Sequence, residues 1–162
     1  LNRALKIKPN FICLVPENRK EITTEGGLNI KNNLNKLKKI IKKFNEAKIR
    51  TSLFINPSPS DIRLAKKLNA DCIEIHTGKL SNLVKSNKNH SKELNRIKKC
   101  AKLGSSLKME VHAGHGLDYK TTKILRKIID IEEYNIGHFI IGESIFYGLP
   151  KVIKNFKKII KK

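Results

Sequence analysis

Three of the five histidines in this sequence stand at or just beyond short apolar runs. His76 follows Cys72-Ile-Glu-Ile75, His115 follows Lys108-Met-Glu-Val111, and His138 follows Tyr134-Asn-Ile136. Imidazole titrates near neutrality, so histidines gathered on one rim could pass protons at pH 7. Glycines accompany them at Gly26-Gly27, Gly78, Gly114, Gly116, Gly137 and Gly142. Such residues let backbone N–H groups come close to a phosphate, although each could also be an ordinary turn glycine. Gly116, Gly137 and a short helix starting near Gly142-Glu143-Ser144 would suit a phosphate site, with the helix dipole adding to it. Glu74 lies between Ile73 and Ile75, where an inward carboxylate is costly unless paired or hydrogen-bonded. A structural ion pair and a catalytic group both remain open for it. His112 and His115 do not have the His-Glu-x-x-His spacing, and no carboxylate or cysteine completes a ligand set, so no metal site is expected. Cys13 and Cys72 fall inside strands and read as small core residues.

These residues need a scaffold that brings strand ends together. Apolar runs at Phe11–Val15, Thr51–Ile55, Cys72–Ile75, Lys108–Val111 and Tyr134–Ile136 predict strands, the first apolar throughout as if buried on both faces. Between them run helical patterns. Leu34, Leu37, Ile41 and Phe44 make one stripe, and Ile62, Ala65 and Leu68 another that opens at Ser60-Asp61. Leu94, Ile97 and Ala101 form a third, capped by Ser91 and stopped by Gly104. Ile124, Leu125, Ile128 and Ile129 follow a cap at Thr121 or Thr122. Val152, Ile153, Phe156, Ile159 and Ile160 share the last face, and 79–90 reads as a loose polar stretch. Strands alternating with helices predict a parallel α/β sheet, and ligands bind such sheets beyond the C-terminal strand ends. With no internal linker, the chain reads as one domain over 1–162.

Composition excludes several classes. The chain has 162 residues, 35 Lys+Arg against 14 Asp+Glu and a net charge of +21. Only six of the basic residues are Arg, aromatics are 6% and Trp is absent, which argues against a nucleic-acid partner. Lys, Ile and Asn share A/T-rich codons, so base composition can produce this charge with no selection for a basic partner. No run approaches 18 apolar residues, so no membrane partner is expected. Three scattered cysteines and no secretory leader point to a reducing, cytoplasmic setting.

Six runs together resemble the pyridoxine 5′-phosphate synthase family. They are Cys13-Leu-Val-Pro-Glu17, Thr23-Thr-Glu-Gly-Gly-Leu28, Ser52-Leu-Phe-Ile55, Ile73-Glu-Ile-His-Thr-Gly78, Ala113-Gly-His-Gly-Leu117 and Asn135-Ile-Gly-His138. The resemblance implies a TIM barrel, here the part covering roughly strands 4 to 8, and assembly into homo-octamers. It implies condensation of 3-amino-2-oxopropyl phosphate with 1-deoxy-D-xylulose 5-phosphate, giving pyridoxine 5′-phosphate, phosphate and water with no cofactor. Carried over by position, His115 is the proton donor and Glu74 stabilises the transition state. Thr23 would contact the deoxyxylulose phosphate, and Gly116, Gly137 and His138 the aminoketone phosphate.

Two positions depart from the family pattern, His112 where Asn is usual and Glu143 where Arg is usual. The family's first three βα units, with its other two acid/base residues, are not represented. Such barrels take about 250 residues at about 30 per βα unit, which leaves room for three more units. Leu1 in place of Met also points to a piece of a longer protein, so this chain alone is expected to lack activity. The rival readings are a decayed, non-catalytic remnant and a basic nucleic-acid-binding module.

Overall fold

A computed structural model describes residues 1–16 and 26–161. Five strands form one sheet in chain order: β1 (Phe11–Leu14), β2 (Arg50–Ile55), β3 (Cys72–His76), β4 (Glu110–Gly114) and β5 (Glu133–Asn135). All four pairings are parallel, so each strand must be regained by a crossover. The connections carry α2 (Leu34–Glu46), α3 (Pro59–Lys67), α4 (Gly78–Lys85), α5 (Ser91–Ser106) and α6 (Tyr119–Leu125). Ahead of the sheet lies α1 (Asn2–Ile7), and α7 (His138–Tyr147) and α8 (Leu149–Ile160) follow it. Among the described residues, no helix is long and apolar enough to cross a membrane.

Strand alternation sorts the side chains into two layers. Leu53 and Ile55 of β2, Ile73 and Ile75 of β3, and Val111 and Ala113 of β4 are fully buried in the core. They share it with the helix residues Ile41, Ile62, Ala65, Ile97, Ala101 and Leu125. The alternate positions, Glu74, His76, His112 and Asn135 among them, lie on the other face. That face is concave. The rings of Phe11 on β1 and His112 on β4 are 5.6 Å apart, although three flat strand spacings of about 4.8 Å would separate their backbones. The sheet therefore curls strongly, and its concave face is lined with polar groups.

Several boundaries differ from the sequence reading for identifiable reasons. β1 is half-buried rather than buried on both faces, because it is a sheet edge. The cap of α3 is Ser58, whose Oγ accepts from Asp61 N, with Pro59 as the first helical residue. The stretch at 79–90 holds all but the first residue of α4, whose inner face buries Leu80, Ser81 and Val84. Asp118, not Thr121 or Thr122, caps α6, accepting from Thr121 N at 2.7 Å. Both threonines are buried inside that helix, and Ile129 lies beyond it with 78% exposure.

Gly104 is the largest correction. It does not stop α5, which continues to Ser106. The left-handed turn that ends this segment is made by Lys108 at φ 58°, as Lys48 and Asn69 do after α2 and α3. Gly104 is instead a contact glycine. A Cβ on it would come within 2.8 Å of both Ile73 and Val111, so its absence lets α5 lie flat on β3 and β4. Gly104→Val should lower stability by about 1–3 kcal/mol through overpacking, read as a shift in the urea midpoint at unchanged slope.

Candidate active site at the strand ends

The C-terminal ends of β3, β4 and β5 open into one cleft of about 720 Å³. Glu74, His115, Gly116, Asn135, Gly137 and His138 all line it, together with Phe54 and Lys85. Five residues singled out from sequence, Glu74, His115, Gly116, Gly137 and His138, are thus brought together. Thr23 lies outside the described residues.

Glu74 is 8% exposed at the middle of β3. Its Oε2 accepts from Asn135 Nδ2 at 2.9 Å and from Cys13 Sγ at 3.4 Å. Among the described residues no cation lies within ion-pair distance, and the donors that hold it are neutral. Burial pushes its pKa up, and the hydrogen bonds from Cys13 and Asn135, with His112 nearby, pull the other way. Burial, followed by the adjacent Glu74 charge, pushes the Cys13 thiol up to about 12. Cys13 therefore keeps its proton and serves as a donor on the concave face rather than as a core residue.

His76 and His115 stack, with ring centroids 4.7 Å apart and planes 24° from parallel. Phe54 meets the His76 ring edge-on at 5.2 Å. Gly78 makes this stack possible, since a Cβ there would lie within 3 Å of both imidazoles. His115 adopts φ 80° and Gly116 φ 74°. For a non-glycine residue that backbone costs about 1–2 kcal/mol and persists only when its surroundings enforce it. Thr77 does so. Fully buried, its hydroxyl sits 2.8 Å from Gly114 O and 2.7 Å from His115 O, and its N–H donates to Gly114 O.

The helix after β5 begins earlier than the sequence reading placed it. Gly137 is the N-cap of α7 and His138 its first residue, which puts Gly142-Glu143-Ser144 in mid-helix. Gly137, His138 and Phe139, at the start of this ten-residue helix, line the cleft, and Glu143 is not among its lining residues. Lys85, at the end of α4, supplies a cation there that sequence reasoning missed. Its only signal was a place in the segment read as loop. Cys13 and Asn135 were missed as Glu74 partners because pairing across β1, β3 and β5 depends on the curl.

Deeper on the concave face lies a second polar group. Cys72, Glu110 and His112 place donor atoms within 4.8 Å of one another. Arg50 stands among them, pairing with Glu110 and donating to Cys72 Sγ at 3.2 Å. The Arg50 hydrogen bond holds the Glu110 carboxyl below the usual range, and burial pushes the Cys72 thiol up to about 12. A guanidinium beside a protonated thiol opposes a cation, so the charge of this set fits arginine rather than metal. His112, fully buried, reaches Glu110 through Nε2 at 3.0 Å and faces Glu133 through Nδ1 at 3.6 Å.

Parallel strands thus end in a cleft lined by a buried carboxylate, a histidine of left-handed backbone and the start of a helix, in an α/β fold. The comparisons carry this further. The chain matches the family described as "Pyridoxal phosphate biosynthesis protein PdxJ" over residues 1–162, and it belongs to that family. It is 63% identical over 159 residues to pyridoxine 5′-phosphate synthase of Pelagibacter ubique (strain HTCC1062), covering 98% of this chain and 66% of the relative. It is 49% identical over 160 residues to that of Zymomonas mobilis subsp. mobilis, covering 99% of this chain and 62% of the relative. For the Blochmanniella pennsylvanica protein of the same name the identity is 46% over 160 residues, 99% of this chain and 65% of the relative. The chain thus spans just under two thirds of these relatives' length.

The raised pKa of Glu74 sets a pH dependence. A carboxyl whose pKa is higher folded than unfolded costs stability as pH climbs from its unfolded value, near 4.5, through its folded one. Glu74→Gln should therefore stabilise the protein at pH 7 and lose that advantage below pH 4. Urea unfolding across this range checks it.

Proposed function

We propose that this chain is part of a pyridoxine 5′-phosphate synthase, contributing strands 4 to 8 of a TIM barrel as an incomplete single domain. The observation that carries the proposal is the gathering of Glu74, His115, Gly116, Gly137 and His138 on one strand-end cleft, in a chain whose relatives bear that name. The reaction joins 3-amino-2-oxopropyl phosphate to 1-deoxy-D-xylulose 5-phosphate. The amine of the first condenses with a carbonyl of the second, water and inorganic phosphate leave, and a ring closes.

Each step moves protons and develops charge, and the cleft supplies both functions. His115 donates a proton to a departing oxygen, and its strained backbone fixes where the ring points. Glu74, in a poorly solvated spot, stabilises the cationic imine-like states in between. The first turn of α7 and Lys85 draw the aminoketone phosphate to Gly116, Gly137 and His138. Neither space nor backbone demands glycine at 137, where φ is −109° and a Cβ would meet nothing within 4 Å. A bare backbone there leaves the N–H groups of α7 open to the phosphate. Thr23 binds the deoxyxylulose phosphate in the same reading.

Three further βα units, bringing the two other acid/base residues, would complete the barrel. They would cover the edges of β1 and β5 and the apolar side of α7, where Ile141, Ile145 and Phe146 are 65–79% exposed. The completed protein works in the cytoplasm as a homo-octamer without a cofactor, and this chain alone is inactive.

The test mixes both substrates with this chain and with a form extended at its N-terminus to the relatives' length. Pyridoxine 5′-phosphate should form only with the extended protein, and His115→Ala should cut kcat by about 100-fold or more. No product from any extended form would refute the assignment.

A further inference from the structure

We propose that Asn135 is a positioning residue for Glu74, clamping Oε2 of that carboxylate to the end of β5 and leaving Oε1 as the oxygen that meets the reacting molecule. The inference rests on the synthase reading above and concerns how the same site is held.

A glutamate side chain has three torsions, and one pointing into a cleft must be tied down if its charge is to act at a fixed place. Oε2 receives two donors from different strands, Asn135 Nδ2 at 2.9 Å and Cys13 Sγ at 3.4 Å. The thiol is a weak donor, so the amide dominates. Oε1 accepts no hydrogen bond from a described residue. It lies over Gly114, where a Cβ would overlap it outright, and a Cβ there would also approach Asn135. Gly114 thus provides the empty space that Oε1 occupies, and Asn135 fixes the rotamer that puts it there. Gly114 and Asn135 are register partners on β4 and β5, so the seat and the clamp sit side by side.

Asn135 is also two residues before Gly137, the cap of α7. One short piece of backbone therefore sets both the carboxylate and the helix N-terminus proposed to hold phosphate. An amide has no ionisation of its own near neutrality, so the clamp works unchanged across the pH range of catalysis. Among the described residues, the titratable groups facing Glu74 are Cys13 on β1, His112 on β4 and Glu133 on β5, with His115, His138 and Lys85 across the cleft. No titratable group of β2 is among them, since Phe54 is its register partner there.

The experiment uses the extended protein labelled with 13C at glutamate carboxyls, with the Glu74 signal identified by its loss in Glu74→Gln. Asn135→Ala removes the donor, and Asn135→Asp keeps the shape but adds a like charge. Both should move the Glu74 titration upward, Ala by about one unit and Asp further. Both should lower kcat by about 10- to 100-fold with KM within about twofold, and shift the acid limb of the kcat profile with Glu74. A Glu74 titration unmoved in both variants would overturn the proposal, as would kcat and KM changing together in step with lost thermal stability. An inactive but folded wild-type extended protein would sink the synthase reading alone, because the carboxyl titration still decides the clamp.

Discussion

A carboxylate taken out of water must be given donors, and Glu74 draws its donors from β1 and β5, two strands at opposite edges of the sheet. Each lies two strands away, and in a flat sheet the edges would be about 19 Å apart. Curling the sheet lets Cys13 and Asn135 converge on one oxygen. The same curl draws the ends of β3, β4 and β5 around a shared cleft, so the burial of a single charge and the making of a site have one geometric cause. Everything else at the rim is arranged relative to that carboxylate. Gly114 leaves it room, His115 follows on a backbone turn pinned by Thr77, and Asn135 passes directly into the cap of α7.

Much of this was legible in the sequence because it depends on local pattern. Apolar runs separated by amphipathic stripes identify a parallel α/β sheet, and a parallel sheet dictates that His76, His115 and His138 be sought at its strand ends. What could not be read depends on tertiary contact. Gly104 looks like a helix stop, yet it is a packing glycine under Ile73 and Val111, and lysine or asparagine makes the left-handed turns. Residues 79–90 look loose because α4 shows only a narrow stripe of small and apolar residues. Cys13 looks like core because a thiol within an apolar run gives no sign of facing a carboxylate.

The two departures from the family pattern also change meaning once they are placed. Glu143 falls in the second turn of α7, away from the cleft lining, so its negative charge does not sit on the helix N-terminus. His112 lies one layer below the cleft, between Glu110 and Glu133 and next to the ring of Phe11. With Arg50, Cys72 and Glu110 it belongs to the second polar group on the concave face. The large positive charge of the chain resides mostly on solvated helix faces.

The most direct measurement of the account is a crystal structure of the extended protein with 3-amino-2-oxopropyl phosphate bound. The account predicts phosphate oxygens at the N–H groups of Gly116, Gly137 and His138, with Glu74 Oε1 turned to the carbon end of the ligand and Oε2 still held by Asn135. Ligand bound away from the strand ends, or with Glu74 swung off Asn135 and out of the cleft, would contradict it.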